Sequence, residues 1–194
     1  MNILFLDMDG VLNNHDLTIQ WAEKRLKEIK KNITDKSDIK LREIVMREFN
    51  QYMCMGTEYI FKQLADRLNE VITKCDLKIV WSTSWRNISK YNRNIDNAKE
   101  MLNRRGVIGD ALIGYTPFFG YEYGTAESTR ISEILYCVMN NKFSISYNDK
   151  IGVIDDLDLS EIESYKYGIK FFQTKMKTGL TNKIKNDMLK FYSK

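Results

Sequence analysis

The sequence predicts an α/β fold: a mostly parallel sheet flanked by helices, with a small helical cap inserted after the first strand. Three observations carry it. Short apolar runs rich in Ile, Val and Phe recur from Ile3 to Leu6, Lys78 to Trp81, Ile151 to Ile154 and Ile169 to Phe172. Segments with helical periodicity lie between them, and alternating strands and helices build parallel sheets. About seventy residues also separate the first two runs, far more than one crossover needs.

The elements follow in order. After the first strand, three helical patterns are legible: Ile19, Ala22, Leu26, Ile29 and Ile33; Leu41, Val45 and Phe49 behind a Ser37 cap; and Ile60, Leu64, Leu68 and Val71 after Thr57. Only the last is needed to return the chain to the second strand. Residues 14–56 therefore read as a helical cap, and residues 1–13 and 57–194 as the core domain. The cap would sit near the C-terminal edge of strand one, where parallel α/β sheets bind ligands.

Ile95, Ala98 and Leu102 mark the next helix, which ends at Gly106. Residues 107–126 pass through Gly109, Gly114, Pro117, Gly120 and Gly124 and read as a long loop. That loop holds Tyr115, Phe118, Phe119, Tyr121 and Tyr123, which could stack a base or pack internally. A helix carrying Ile131, Leu135 and Val138 leads to the Ile151 strand, and Ile184, Met188, Phe191 and Tyr192 recur at helical spacing near the end.

Bulk properties narrow the class. A chain of 194 residues suits one domain of ordinary size, and 43% hydrophobic content with a single proline excludes collagen-like and disordered chains. The run Asn2-Ile-Leu-Phe-Leu6 leads straight into acids, with no signal-peptide pattern and no long apolar span, so a soluble, cytoplasmic protein without membrane contact is expected. Cys54, Cys75 and Cys137 lie far apart and only one histidine is present, which argues for buried thiols and against a disulfide framework or a zinc site. The net charge of +4 is uneven, because residues 166–194 hold eight lysines against the single acid Asp187. That region suits either a packed terminal helix with a solvated lysine face or a contact with nucleic acid.

Four pieces carry chemistry, and each sits at the end of an element: Asp7-Met-Asp-Gly-Val11, Ser82-Thr-Ser-Trp-Arg86, Arg130 early in its helix, and Asp155-Asp156. In a parallel sheet they would converge on one edge. A carboxylate at Asp7 can attack phosphorus only if a cation offsets its charge and that of the phosphate. Mg²⁺ does so with oxygen ligands. Asp155 and Asp156 add the acids such an ion needs, and clustering them without metal would be costly through like-charge repulsion. Asp9 would aim its side chain at the leaving oxygen and its main-chain carbonyl at the metal, helped by the freedom of Gly10, and would act first as acid and then as base. A hydroxyl among Ser82, Thr83 and Ser84 would hold a phosphate oxygen, and Arg86 or Arg130 would neutralise the charge that builds on transfer. Lys150 opens its strand, about five residues or roughly 15 Å from the active end, so Arg130 is preferred. His15 is read as a cap or loop residue.

On these residues the sequence resembles the haloacid dehalogenase superfamily of phosphotransferases. Phe5-Leu-Asp-Met-Asp-Gly-Val-Leu12 is similar to its first motif, Ile79-Val-Trp-Ser-Thr83 to its second and Gly152-Val-Ile-Asp-Asp156 to its fourth. The resemblance implies a Rossmann-like sheet, Asp7 as nucleophile, Asp9 as acid/base, Thr83 as the phosphate-holding hydroxyl and Asp155 or Asp156 as metal ligand. The third motif is usually a lysine, and here it must be Arg130 or stay unassigned. Trp81-Ser-Thr-Ser-Trp-Arg86, Arg130-Ile-Ser-Glu-Ile134 and Thr178-Gly-Leu-Thr181 resemble the branch associated with RNA-repair and nucleotide phosphatases.

The expected activity is Mg²⁺-dependent hydrolysis of a phosphomonoester through an aspartyl-phosphate, with a nucleotide or nucleic-acid-end phosphate ahead of small metabolites as substrate. Two alternatives remain at this stage. One is a sugar phosphatase or a phosphotransferase of mutase type. The other is a non-enzymatic nucleic-acid-binding module using the basic C-terminal region on an inactive scaffold.

Overall fold

A computed structural model describes residues 1–14, 60–87, 94–120, 124–146 and 148–193, with isolated positions between 16 and 28. Among the described residues five strands form one sheet: β1 (Asn2–Leu6), β2 (Leu77–Trp81), β3 (Leu112–Tyr115), β4 (Lys150–Asp155) and β5 (Lys170–Gln173). Their order is β3-β2-β1-β4-β5, and every pairing is parallel.

β1 is apolar on both faces because both faces are covered. Leu4 and Leu6 point into one cluster with Ile79, Trp81, Leu64, Leu68 and Met188, while Ile3 and Phe5 point into another with Val80, Ile134, Ile151 and Val153. A continuous hydrophobic run is what a central parallel strand requires. The described helices are α1 (Lys62–Cys75), α2 (Ile95–Arg104), α3 (Ala126–Met139) and α4 (Asn182–Tyr192). α1, α2 and α4 cover the first face and α3 the second.

The chain builds β1, β2 and β3 outward in one direction, then crosses through α3 and continues with β4 and β5 on the other side of β1. The reversal opens a crevice between β1 and β4 at their C-terminal ends, the place where doubly wound sheets bind ligands.

The four expected strands are present, and a fifth, β3, occupies part of the segment read as loop. It escaped the sequence pattern because it is a four-residue edge strand carrying Gly114. That glycine is required by close approach: a Cβ there would meet the Phe143 ring at 2.2 Å. α1 also starts later than Thr57 implied. It opens at Lys62 behind Phe61, which makes no side-chain cap, and Thr57 lies outside the described residues.

α2 ends as expected, with Gly106 at φ 81° just past the last turn. α4 is capped by the Thr181 hydroxyl, which accepts from the Ile184 amide at 3.3 Å, and it buries Met188 and Tyr192. Cys75 and Cys137 are buried free thiols; Cys54 lies outside the described residues. So does most of the expected cap, 14–56, including Ser37 and the full helical patterns read there. Among the described residues no helix is long and apolar enough to cross a membrane.

Candidate active site

The sheet ladder runs one residue past the strand ends, and this brings the chemistry together. The Asp7 amide donates to the Ile154 carbonyl at 3.0 Å, the Ser82 amide to Leu6 at 2.9 Å, and the Thr174 amide to Asp155 at 2.9 Å. Asp7, Ser82, Asp155 and Thr174, at the ends of β1, β2, β4 and β5, are thereby fixed side by side at one edge.

At the centre, Arg130 Nη1 donates to Asp7 Oδ1 at 3.2 Å and to Asp155 Oδ2 at 3.1 Å. All three side chains are nearly excluded from water. Oxygens of Asp7, Asp155 and Asp156 lie within 4.8 Å of one another. Burial, the Asp155 charge and the nearby Asp9 push the Asp7 pKa well above the usual carboxylate range, with Arg130 only partly offsetting them. Burial likewise raises Asp155 to about 6 against the opposing pull of Arg130, and it raises Asp156. Burial would lower the Arg130 pKa, but Asp7, Asp155 and Glu133 raise it, so the guanidinium stays charged.

One guanidinium against three carboxylates leaves the cluster short of positive charge. An all-oxygen donor set of this kind fits a hard divalent cation such as Mg²⁺.

Asp9 lies outside that triad. Its carboxylate accepts from Asn13 Nδ2 at 2.8 Å and from Trp85 Nε1 at 3.0 Å. Asn13 also accepts from the Gly10 amide at 3.0 Å, closing the turn after β1. Gly10 has φ +67°, and a Cβ there would lie 2.6 Å from Asp156 Cγ, so conformation and crowding both demand glycine between the two acidic segments.

The hydroxyl cluster after β2 divides three ways. Thr83 is buried, and its Oγ1 accepts from the Trp85 amide at a long 3.4 Å. Ser82 Oγ is buried with no hydrogen-bond partner among the described residues, an unmet polar group that needs a reason. Ser84 is exposed.

Arg86, expected to neutralise phosphate or bind substrate, is engaged elsewhere. It donates to the Thr83 carbonyl and to Glu133 Oε2, each at 2.5 Å, and its guanidinium stacks on Phe118 at 5.6 Å. Arg130 is the arginine that touches the acids. Lys150 stands at the opposite end of β4 and donates to the Tyr192 carbonyl at 3.1 Å. Tyr115 packs against Trp81 at 5.9 Å, whereas Phe118 and Phe119 are exposed; His15, Tyr121 and Tyr123 lie outside the described residues.

Three residues at the site were not singled out from sequence: Asn13, Trp85 and Glu133. Glu133 is buried between the two arginines, 3.9 Å from Arg130 Nε, and accepts from the Phe119 amide at 3.1 Å. It stood within the Arg130-Ile-Ser-Glu-Ile134 segment already noted, three residues after Arg130 and so on the same face of a helix. Trp85 stood within a motif already noted, but nothing local pairs an indole with an acid 76 positions away.

No curated protein matches the chain. Among solved structures, a hydrolase of the haloacid dehalogenase-like family from Streptococcus pneumoniae is similar at 15% identity and a TM-score of 0.42, over 99% of this chain and 90% of that one. A family model described as the HAD domain in Swiss Army Knife RNA repair proteins matches residues 3–184. That match runs from β1 into α4 and takes in both strand-end acid segments, the hydroxyl segment and Arg130; the chain belongs to the family of HAD domains found in Swiss Army Knife RNA repair proteins.

Proposed function

We propose that the chain is a Mg²⁺-dependent phosphomonoester hydrolase that acts on a nucleotide or nucleic-acid-end phosphate through an aspartyl-phosphate. The observation that supports this reading is Arg130 bridging Asp7 and Asp155 beside Asp156, a geometry that suits a carboxylate nucleophile, a fixed cation and an oxygen-only metal site at one crevice.

Asp7, Asp155 and Asp156 would hold the ion, with the Asp9 main-chain carbonyl as a further donor. When bound, Mg²⁺ would supply the positive charge that lets an anionic nucleophile meet an anionic phosphate. The remaining work belongs to the chain. An Asp7 carboxylate oxygen forms a bond to phosphorus as the bond to the leaving oxygen breaks, and Asp9 gives that oxygen a proton. Water then attacks phosphorus, Asp9 takes its proton, and inorganic phosphate leaves as the Asp7 carboxylate is restored. Asn13 and Trp85 hold Asp9 for both steps. The Thr83 hydroxyl, with Ser82 beside it, receives a non-bridging oxygen, and Arg130 balances charge that grows on the transferring group. The RNA-repair setting of the matched family favours a nucleic-acid end as the substrate.

The test compares end-phosphorylated oligonucleotides, 5′- and 3′-nucleotides and sugar phosphates by kcat/KM with the full chain and Mg²⁺. Asp7→Asn should lower kcat by ~10⁴-fold or more while the circular dichroism spectrum is retained. Full activity in that variant, or in excess chelator, would sink the mechanism; a preference for sugar phosphates would sink the substrate class.

A further inference from the structure

A second feature of this edge lies outside the carboxylate site. The outer strand β5 and helix α4 enclose a groove of about 760 Å³. It begins beside the reactive centre: Thr174, whose amide is bonded to the Asp155 carbonyl at 2.9 Å, lines its near end together with Lys175. From there it leads away along α4. Phe172 and Phe191, in edge contact at 5.8 Å, form its apolar part.

The charges over the groove are unbalanced. Lys170 is paired with Glu163 at 2.6 Å, but Lys175, Lys183 and Lys190 are exposed and make no ion pair among the described residues. Asp187 is the one acid among the described lining residues. Lys185 of the same helix behaves differently: it turns to α1 and bonds Glu70 at 2.6 Å. One lysine of α4 thus fastens the helix to the domain, while its neighbours stand over open space.

Unpaired ammonium groups along an apolar-floored channel match a phosphodiester chain, which carries one negative charge per nucleotide and releases counterions on binding. We infer that the β5–α4 groove is the track for a single-stranded nucleic acid whose terminal phosphate lies at the Asp7–Arg130 site. The inference rests on the phosphatase reading for its direction. A phosphodiester strand is favoured over an acidic peptide because the groove's near end, at Thr174, adjoins Asp155 of the proposed phosphate-handling centre.

The experiment measures anisotropy of labelled RNA and DNA decanucleotides without terminal phosphate across a salt series, for the full chain and for the triple variant Lys175→Gln, Lys183→Gln, Lys190→Gln. Hydrolysis of p-nitrophenyl phosphate is followed in parallel. The variant should bind about tenfold or more weakly at low salt, with a log K against log salt slope shallower by about 2, and should hydrolyse the small ester unchanged. Unchanged affinity and slope overturn the groove. A polyglutamate peptide that binds as tightly as RNA with the same lysine dependence overturns its assignment to nucleic acid. Lysine-dependent RNA binding in a protein that hydrolyses no phosphomonoester supports the groove and sinks the reaction reading alone.

Discussion

The Trp85 indole donates to the Asp9 carboxylate across 3.0 Å, from a 3₁₀ turn that follows the neighbouring strand. Trp85 is itself locked, 1% exposed and edge-on to Trp81 at 6.5 Å. The proposed acid/base is therefore oriented by a rigid donor rather than left to rotate.

Trp85→Phe keeps an aromatic ring in place and removes that donor, while Asn13 still holds Asp9. Steady-state kinetics should show kcat lowered about tenfold with KM nearly constant, the loss of one charge-assisted hydrogen bond. Asp9→Asn should cost ~10²–10⁴-fold by removing the proton carrier itself. A Trp85→Phe enzyme with unaltered kcat would show that the bond does not orient catalysis.

Glu133→Gln leaves Arg86 buried without its carboxylate. Breaking a buried pair from one side costs about 3–5 kcal/mol, read as a lower urea midpoint at constant m-value. Glu133 also holds the Phe119 amide, so the exposed Phe118–Phe119 segment should gain amide exchange in the same variant. A loss below about 1 kcal/mol would mean that the pair is solvated and the site looser than its burial indicates.

Metal binding has a readout independent of turnover. Mg²⁺ at about 100 times its Kd should stabilise the protein by about 2.7 kcal/mol, a Tm rise of about 5–11 °C for a chain of this size. Asp155→Asn should remove most of that rise, and chelator should reverse it in the unaltered chain. A Tm indifferent to Mg²⁺ would count against Asp7, Asp155 and Asp156 as ligands.

Glu70 gives a test by pH. Hydrogen bonds from Lys185 and Lys74 lower its pKa from 4.5 to about 2. A folded value below the unfolded one means that the native state favours the ionised form. The stabilisation is present above about 4.5 and is lost as pH falls toward about 2. Thermal melts of Glu70→Gln should lie below the unaltered chain near neutral pH and converge with it in that acid window. Parallel curves at every pH would place the effect in packing and not in charge.

The strands and their active ends were legible because the relevant signals are local. A central parallel strand announces itself by consecutive apolar residues, as Ile3–Leu6 and Ile151–Ile154 do, and a carboxylate directly after it is aimed at the ligand edge by the geometry of the fold. β3 was not legible, since Gly114 serves the Phe143 ring, a contact invisible to any window around it. Most of the expected cap lies outside the described residues, so that reading stands on periodicity alone.

Sequence alone determined the chemical inventory: two acids on either side of Met8, two more after Ile154, hydroxyls after Trp81, two arginines. Tertiary structure decided which of these meet. The strand order sets β4 beside β1, and so places Asp155 against Asp7 rather than three strands away, where chain order would put it. It also separated Arg86 from Arg130, two side chains of identical chemistry. The buried Glu133 carboxylate and the Thr83 carbonyl take up the first, and the second is left facing Asp7, because a charge excluded from water goes to whichever partner the packing puts within reach.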